Sequence, residues 1–247
     1  MNNFIAIMVL KDQKTIMKQS SGSKISISPS MMCANPFFLR ETLNRFEASC
    51  VDWLHIDIMD GKYVPNFTLG PDYCGFLQKE GHIPLDIHLM VENPDVHFLL
   101  FRSFEGARIS FHPETVRQPV RLVEGIRELG CSPGIAVDPS VSLDSLKHLI
   151  PLVDQVTIMT VNPGYAGQKL IPFCLQKIAQ CRAMIDATGR SIALSIDGNV
   201  SWENIPKMMD AGGDVLVVGT SSVFEDGRVS AESMQKLQNL IGSRGEN

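Results

Sequence analysis

The 247-residue sequence has no apolar run approaching the roughly 20 residues needed to span a bilayer, so no membrane helix is expected. It has no basic excess either: 22 Lys and Arg stand against 27 Asp and Glu, with a formal net charge of -5 and a pI near 5.7. A nucleic-acid partner calls for a basic stripe, and none is expected here. The six cysteines, at positions 33, 50, 74, 131, 174 and 181, never form C-x-x-C. In a chain long enough to bury its own core they read as reduced, mostly buried thiols of a cytoplasmic protein. No G-x-G-x-x-G follows the first strand, and no G-x-x-x-x-G-K-[ST] occurs anywhere. Those absences argue against a dinucleotide-binding open sheet and against a nucleoside triphosphate motor. The N-terminus also lacks the parts of a secretory signal: Phe4 to Leu10 is apolar, but no Lys or Arg precedes it and no A-x-A site follows. Residues 1–23, ending in "SSGS", are expected to form a loosely ordered extension, with a single domain over 24–247.

What remains is ordinary globular composition, 44% hydrophobic and 20% charged, with a regular alternation of patterns. Short β-rich runs read "KISISPS", "VDWLHIDIM", "PLDIHLMV", "ARISFH", "SPGIAV", "DQVTIMTV", "SIALSID" and "DVLVVGT". Between them lie amphipathic stretches such as "PFFLRETLNRFEAS", "VRQPVRLVEGIRELG" and "FCLQKIAQCRAMIDATG". Each strand is expected to be followed by a helix, which implies a parallel sheet with crossover helices. Eight such units predict an α/β fold, a closed (β/α)8 TIM barrel.

A barrel places its chemistry at the C-terminal ends of its strands. The polar residues comply: Ser30 ends the first strand, His55 and Asp57 the second, His88 the third, His112 the fourth and Asp197 the seventh. In "HIDIMDG" a two-residue period sends His55, Asp57 and Met59 to one face. An unpaired carboxylate in a core costs several kcal/mol or more, so Asp57 needs compensation. Two imidazoles and two carboxylates converging from three strand ends, His55, Asp57, His88 and Asp197, suit one divalent ion such as Zn, Mn, Co or Fe(II). A lone core histidine is ordinarily just hydrogen-bonded, and a lone strand-end aspartate is often a cap. Four together shift that balance. Asp60, in "DGK", is read as a turn residue, and His112, beside Pro113, as a loop hydrogen-bonding residue.

A second signal concerns anions. "NPGYAGQ" (162–168) follows the sixth strand, "IDGN" the seventh and "VGTSS" the eighth, bringing Gly164, Gly167, Gly198, Gly219, Thr220 and Ser221 to the same mouth. Glycine-rich backbone wraps anions, and the loops after strands 7 and 8 are the usual phosphate site of barrels. Met59, Met90 and Met159 lie near strand ends. Methionine is a common core filler; in this position it also makes an apolar pocket lining that excludes water.

The motifs "SPS", "HIDIMDGKYVPN", "PLDIHLMV", "HPE", "MTVNPGYAGQ", "IDG" and "VGTS" occur in order between residues 28 and 221. Together they resemble the ribulose-phosphate 3-epimerase family. The resemblance implies a barrel of the ribulose-phosphate-binding type, an isomerase acting on carbohydrates, a phosphorylated ketose substrate and a homo-oligomer. It implies one divalent metal ion per subunit, held by His55, Asp57, His88 and Asp197, with Asp57 and Asp197 as the paired acid and base. It implies substrate contacts from Ser30, His55, His88, Gly164, Tyr165, Ala166, Gly167, Gly198, Asn199, Gly219, Thr220 and Ser221.

Epimerisation at C3 of a ketose phosphate needs proton removal beside a carbonyl and return to the opposite face. One carboxylate on each side suffices, with a metal as Lewis acid for the enediolate. The expected activity is interconversion of D-ribulose 5-phosphate and D-xylulose 5-phosphate. "AGQ", "MTV" and "FHPET" resemble instead the allulose-6-phosphate 3-epimerase branch, and Tyr165 and Asn199 stand where the pentulose-phosphate pattern has other residues. A decarboxylase of similar architecture resembles a D-x-K-x-x-D pattern; here Asp57 is followed by Ile58, Met59 and Asp60, and no strand end offers an inward lysine. A non-catalytic sugar-phosphate-binding barrel would use the glycine loops but not the four clustered ligands.

Overall fold

In the computed structural model, residues 25–242 are described, and the extension expected at 1–23 lies outside the described residues. The elements run β1 (Ser26–Pro29), α1 (Leu39–Ala48), β2 (Leu54–Asp60), β3 (Phe67–Thr68), α2 (Pro71–Glu80), β4 (Leu85–Met90), α3 (Pro94–His97), β5 (Arg108–Phe111), α4 (Pro119–Glu128), β6 (Ser132–Val137) and β7 (Gln155–Met159). They continue α5 (Phe173–Ala187), β8 (Ala193–Asp197), α6 (Asn204–Asp210), β9 (Val215–Val218), β10 (Phe224–Glu225), β11 (Arg228–Val229) and α7 (Ala231–Gly242). The parallel order is β1-β9-β8-β7-β6-β5-β4-β2, with β3 antiparallel on the far side of β2. A parallel bridge between Ser30 and His55 joins β1 to β2, as do the amides of Asp52 and Trp53, which donate to the Ile27 carbonyl. The sheet therefore closes as the expected (β/α)8 barrel. No helix among the described residues is long and apolar enough to cross a membrane.

The two faces of the strands differ sharply. Ile56, Ile58, Ile87, Leu89, Ile109, Phe111, Val156, Ile158, Leu194 and Ile196 form the main apolar cluster with helix residues such as Leu43, Phe46, Leu122 and Ile126. The alternate residues face the barrel axis, and many are polar. Asp86, fully buried, accepts from His55 Nδ1 (2.9 Å) and Ser28 Oγ (3.3 Å) on Oδ2, and from Gln155 Nε2 (3.0 Å) on Oδ1. Arg108 Nη1 donates to Gln155 Oε1 at 3.0 Å and its guanidinium stacks over Trp53, 3.8 Å from the ring centroid. A buried polar layer of this kind is tolerable only because its members satisfy one another.

Two crossovers depart from the expectation of a helix after every strand. After β6 there are only 3-10 turns at Leu143–Leu146 and Ile150–Leu152. Pro139 and Pro151 interrupt this segment, and proline removes an amide donor and clashes with the preceding turn. The loop is held from α5 instead: buried Lys177 Nζ donates to the carbonyls of Asp138 (2.7 Å), Pro139 (3.1 Å) and Val141 (2.6 Å). After β4, α3 tightens at once into a 3-10 turn, Phe98–Phe101. Its three-residue period puts Phe98 and Phe101 on the core side and leaves Leu99 and Leu100 exposed.

Gly134 of β6 sits between Ser110 and Gln155 in the axial layer. A Cβ there would approach Ser110 Cβ to 3.2 Å and Gln155 Cβ to 3.4 Å. Gly134→Ala is expected to destabilise the protein by about 1–3 kcal/mol through overpacking. Thermal unfolding should show the midpoint falling by roughly 2–4 °C per kcal/mol; an unchanged midpoint would show that the axial layer has slack.

Candidate active site

The parallel register of β2 and β4 pairs His55 with Asp86 and Asp57 with His88. "HID" thus lies against "DIH", and every imidazole neighbours a carboxylate. Asp197, at the end of β8, faces the same spot from across the barrel. Its Oδ2 lies 3.6 Å from His55 Nε2 and 3.5 Å from His88 Nδ1. Asp57 Oδ1 lies 3.4 Å from His55 Nε2 and 3.6 Å from His88 Nδ1. One ligand atom from each of the four residues falls within 4.8 Å of every other. Ser30 Oγ donates to the remaining oxygen of Asp57 at 2.6 Å.

The charges explain one another. Burial pushes the Asp57 and Asp197 carboxyls up, but their attraction to the adjoining imidazoles of His55 and His88 outweighs it and holds both below the usual carboxylate range. Burial pushes the two imidazoles down, and the adjoining carboxylates more than reverse this, raising both. The paired carboxylates demand positive charge; without a cation, protons on the histidines supply it. His55 Nε2 and His88 Nδ1 are buried and have no hydrogen-bond partner, and they are the two nitrogens that face the carboxylates. Two orphaned nitrogens and two carboxylate oxygens converging on one point fit a divalent ion.

Behind the cluster, each histidine is held through its other nitrogen. His55 Nδ1 donates to Asp86. His88 Nε2 lies 3.0 Å from His112 Nε2, and His112 Nδ1 lies 3.0 Å from Tyr63 Oη and 3.3 Å from Glu114 Oε1. Tyr63 Oη donates to Glu114 Oε1 at 2.8 Å. Burial keeps His112 low, hence neutral; burial pushes Glu114 up, but His112 and Tyr63 hold it low, hence ionised.

In front of the cluster opens a cavity of about 560 Å³ including its open mouth. Ser30, Asp57, Met59, Met90, Met159, Gly164, Tyr165, Ala166, Gly167, Asp197, Gly198, Asn199, Gly219, Thr220 and Ser221 all line it. His55 and His88 do not; they lie behind the carboxylates, essentially unexposed. Met32, Cys33, Val161, Val200 and Val217 also line it, without having been singled out by motif. Burial pushes the Cys33 thiol up to about 11, so it lines the cavity as a neutral group. Met59, Met90 and Val64 form their own apolar cluster with Met32 and Tyr63 against them.

The loops at the mouth are cross-linked. Asn66 Nδ2 donates to the Gly164 carbonyl (2.8 Å) and Tyr165 Oη to the Pro65 carbonyl (2.6 Å), tying 162–168 to the loop after β2. Asn199, in a left-handed conformation (φ 45°), accepts from the Leu170 amide at 3.1 Å and donates to Ser221 Oγ at 3.2 Å. It joins the loops after β7, β8 and β9. Gly198 has φ 105°, and a Cβ there would lie 3.0 Å from the Val161 amide nitrogen. Only glycine suits that close approach.

Asp60 is the turn residue expected: Oδ1 accepts from the amides of Lys62 (2.9 Å) and Tyr63 (3.1 Å), and Oδ2 from that of Glu92 (2.8 Å). His112 is hydrogen-bonded within its loop as expected, its ring to Glu114 and its carbonyl from Thr115, and its ring also bonds His88. Asp86, Tyr63 and Glu114 lie within the quoted motifs but carry no role in the sequence reading. Asp86 had a signal, since it precedes His88 by two residues on the same face, as His55 precedes Asp57.

A family model described as the Ribulose-phosphate 3 epimerase family matches residues 26–224. The chain is similar to ribulose-phosphate 3-epimerase 1 of Cupriavidus necator, 42% identical over 204 residues, spanning 81% of this chain and 84% of that protein. It is also similar to ribulose-phosphate 3-epimerase of Helicobacter pylori, 36% identical over 219 residues, spanning 88% and 100%. Among solved structures, phosphoribosyl anthranilate isomerase from Thermococcus kodakaraensis superposes with a TM-score of 0.58 at 14% identity, covering 88% of this chain and 98% of that one. A tryptophan synthase complex from Pyrococcus furiosus gives 0.59 at 15% identity, with 89% and 98% covered. These structures share the barrel; at such identities they carry the fold alone.

The raised imidazoles make a calorimetric prediction. A cation needs neutral histidines, so zinc loading of the metal-free protein at pH 7 should release about one to two protons per site. Zinc affinity should then weaken as pH falls and protons compete for the same nitrogens. The proton count is the slope of binding enthalpy against buffer ionisation enthalpy; a slope of zero would contradict the charge state described.

Proposed function

The chain belongs to the ribulose-phosphate 3-epimerase family, and from that premise we propose that it interconverts D-ribulose 5-phosphate and D-xylulose 5-phosphate by two-base proton transfer at C3. It is an isomerase acting on carbohydrates, and its substrate is a phosphorylated sugar. The observation that carries the two-base reading is the near-equivalence of Asp57 and Asp197. Each carboxylate borders the cavity, and each faces the same two imidazole nitrogens at 3.4–3.6 Å. A reversible epimerisation needs such a pair, because the base of one direction is the acid of the other.

His55, Asp57, His88 and Asp197 would hold one divalent ion. Such an ion supplies Lewis-acid stabilisation of the negative charge that proton removal places on the substrate oxygens. One aspartate takes the C3 proton from its face; the other, protonated, delivers a proton from the opposite face. Each turnover exchanges the protonation states of the two carboxylates, leaving the enzyme poised for the reverse reaction until exchange with water resets it. Ser30 keeps Asp57 oriented through its 2.6 Å hydrogen bond. Met59, Met90 and Met159 keep water from the reacting carbon. The loops at 164–167, 198–199 and 219–221 would grip the phosphate, with Asn199, itself on the cavity wall, fixing their spacing.

A second reading, epimerisation of D-allulose 6-phosphate to D-fructose 6-phosphate, is favoured by "FHPET" and by "MTV" and "AGQ" flanking "NPGY". The metal-loaded protein, incubated in D2O with each ketose phosphate separately, distinguishes them: deuterium should enter C3 with inversion in the pentulose phosphate. Exchange confined to the hexulose phosphate would transfer the assignment to the second reading. Asp57→Asn and Asp197→Asn should each lower kcat by about 10²-fold or more. Near-normal turnover by either variant would overturn the two-base scheme.

A further inference from the structure

Every ring nitrogen in the cluster's rear support has a single consistent proton assignment. An imidazole–imidazole contact of 3.0 Å, as between His88 Nε2 and His112 Nε2, holds one proton: one nitrogen donates and the other accepts. For His88 to offer a Nδ1 lone pair to a cation, its proton must sit on Nε2. His112 Nε2 must then accept, so the His112 proton must sit on Nδ1. That proton needs an acceptor, and two lie within reach: Tyr63 Oη at 3.0 Å and Glu114 Oε1 at 3.3 Å. The Tyr63 hydroxyl could reverse the order by donating to His112. It is prevented because its own proton is taken by Glu114 Oε1 at 2.8 Å, a carboxylate that can only accept.

We propose that Tyr63 and Glu114 are positioning residues which, through His112, hold His88 with its proton on Nε2 and its Nδ1 lone pair turned toward Asp57, Asp197 and the divalent ion they would bind. The chain of contacts runs from fully buried His88 and His112 through half-buried Tyr63 to Glu114, whose side chain is 30% exposed. His55 needs no such chain, because Asp86 accepts from its Nδ1 directly. The two histidines thus present opposite nitrogens, Nε2 from His55 and Nδ1 from His88, and each is oriented by the group behind it. Groups behind metal-binding histidines fix tautomer and ring orientation in this way.

The inference rests on the metal-site reading above, and its test separates the two. Zinc affinity is measured by competition with a chromophoric chelator, and histidine tautomers by 15N-histidine NMR of the zinc-loaded protein. The wild type should show zinc on His88 Nδ1, a proton on His88 Nε2 and a proton on His112 Nδ1. Glu114→Ala combined with Tyr63→Phe, which leaves His112 Nδ1 no side-chain acceptor, should shift His112 toward the Nε2–H tautomer and weaken zinc binding about 10–100-fold. Tyr63→Phe alone should keep the His112 tautomer, since Glu114 remains in reach, and weaken zinc binding less than about tenfold. Both substitutions lie away from the main apolar cluster, and a folded far-UV spectrum checks that they spare the barrel. An unchanged His112 tautomer and zinc affinity in the double variant, with a normal wild type, would overturn this inference alone. A wild type that takes up no zinc at His88 would overturn it together with the metal-site reading.

Discussion

Three carboxylates inside one barrel must be compensated, and the register of β2 against β4 is what compensates them. Pairing His55 with Asp86 and Asp57 with His88 interleaves the two charge types, and Asp197 completes the set from β8. Sliding either strand by one residue would bring Ile56 or Ile87 to the axis and turn the carboxylates into the apolar layer beneath the helices. Burying even one unpaired carboxylate costs several kcal/mol or more. The same pairing that specifies the fold therefore builds the site, and neither can drift without the other.

From that constraint the division of the barrel follows. Its outer strand face is continuous Ile, Leu, Val and Phe, which is what crossover elements can cover. Its axial face is polar beneath the cluster and apolar above it, where Met59 and Met90 line the mouth. Asp86 and Gln155 keep the lower layer rigid, so the histidines stand on a fixed floor rather than in a fluid core. Above them, Asn66, Tyr165 and Asn199 fasten loops from four strand ends to one another. Proton transfer rewards such preorganisation, because an error of an ångström in placing a base is felt strongly in rate.

The barrel and the four clustered residues were legible in sequence because both are periodic or local signals. Eight alternations of strand and helix patterns specify a closed parallel sheet, and "HIDIMD" displays its face assignments by two-residue spacing. The residues that escaped are those whose meaning depends on a partner distant in the chain. Asp86 reads as one more strand-edge charge until β2 is laid beside it. Tyr63 and Glu114 are 51 residues apart and acquire a role only when both meet His112. The short crossover after β6 departs from the expected helix because Pro139 and Pro151, unweighed in the strand–helix alternation, interrupt it, and its anchor, Lys177, reads as a solvated face of α5 until the loop is seen to need a donor.

The unequal support of the two histidines has an electrostatic logic. His55 is backed by a carboxylate in direct contact, whereas His88 is backed by a neutral imidazole with its carboxylate one ring farther out. Asp57, Asp197 and Asp86 already place more negative charge around the cluster than a divalent ion carries. The proposed reaction would add to it, because removing a C3 proton would leave negative charge on the substrate oxygens beside the same carboxylates. A further carboxylate directly behind His88 would orient that ring equally well while opposing the charge that must develop. Interposing His112 keeps the orienting hydrogen bond and moves the Glu114 charge toward the surface, where solvent screens it. Orientation and charge are thereby set separately, one by the chain of donors and the other by distance.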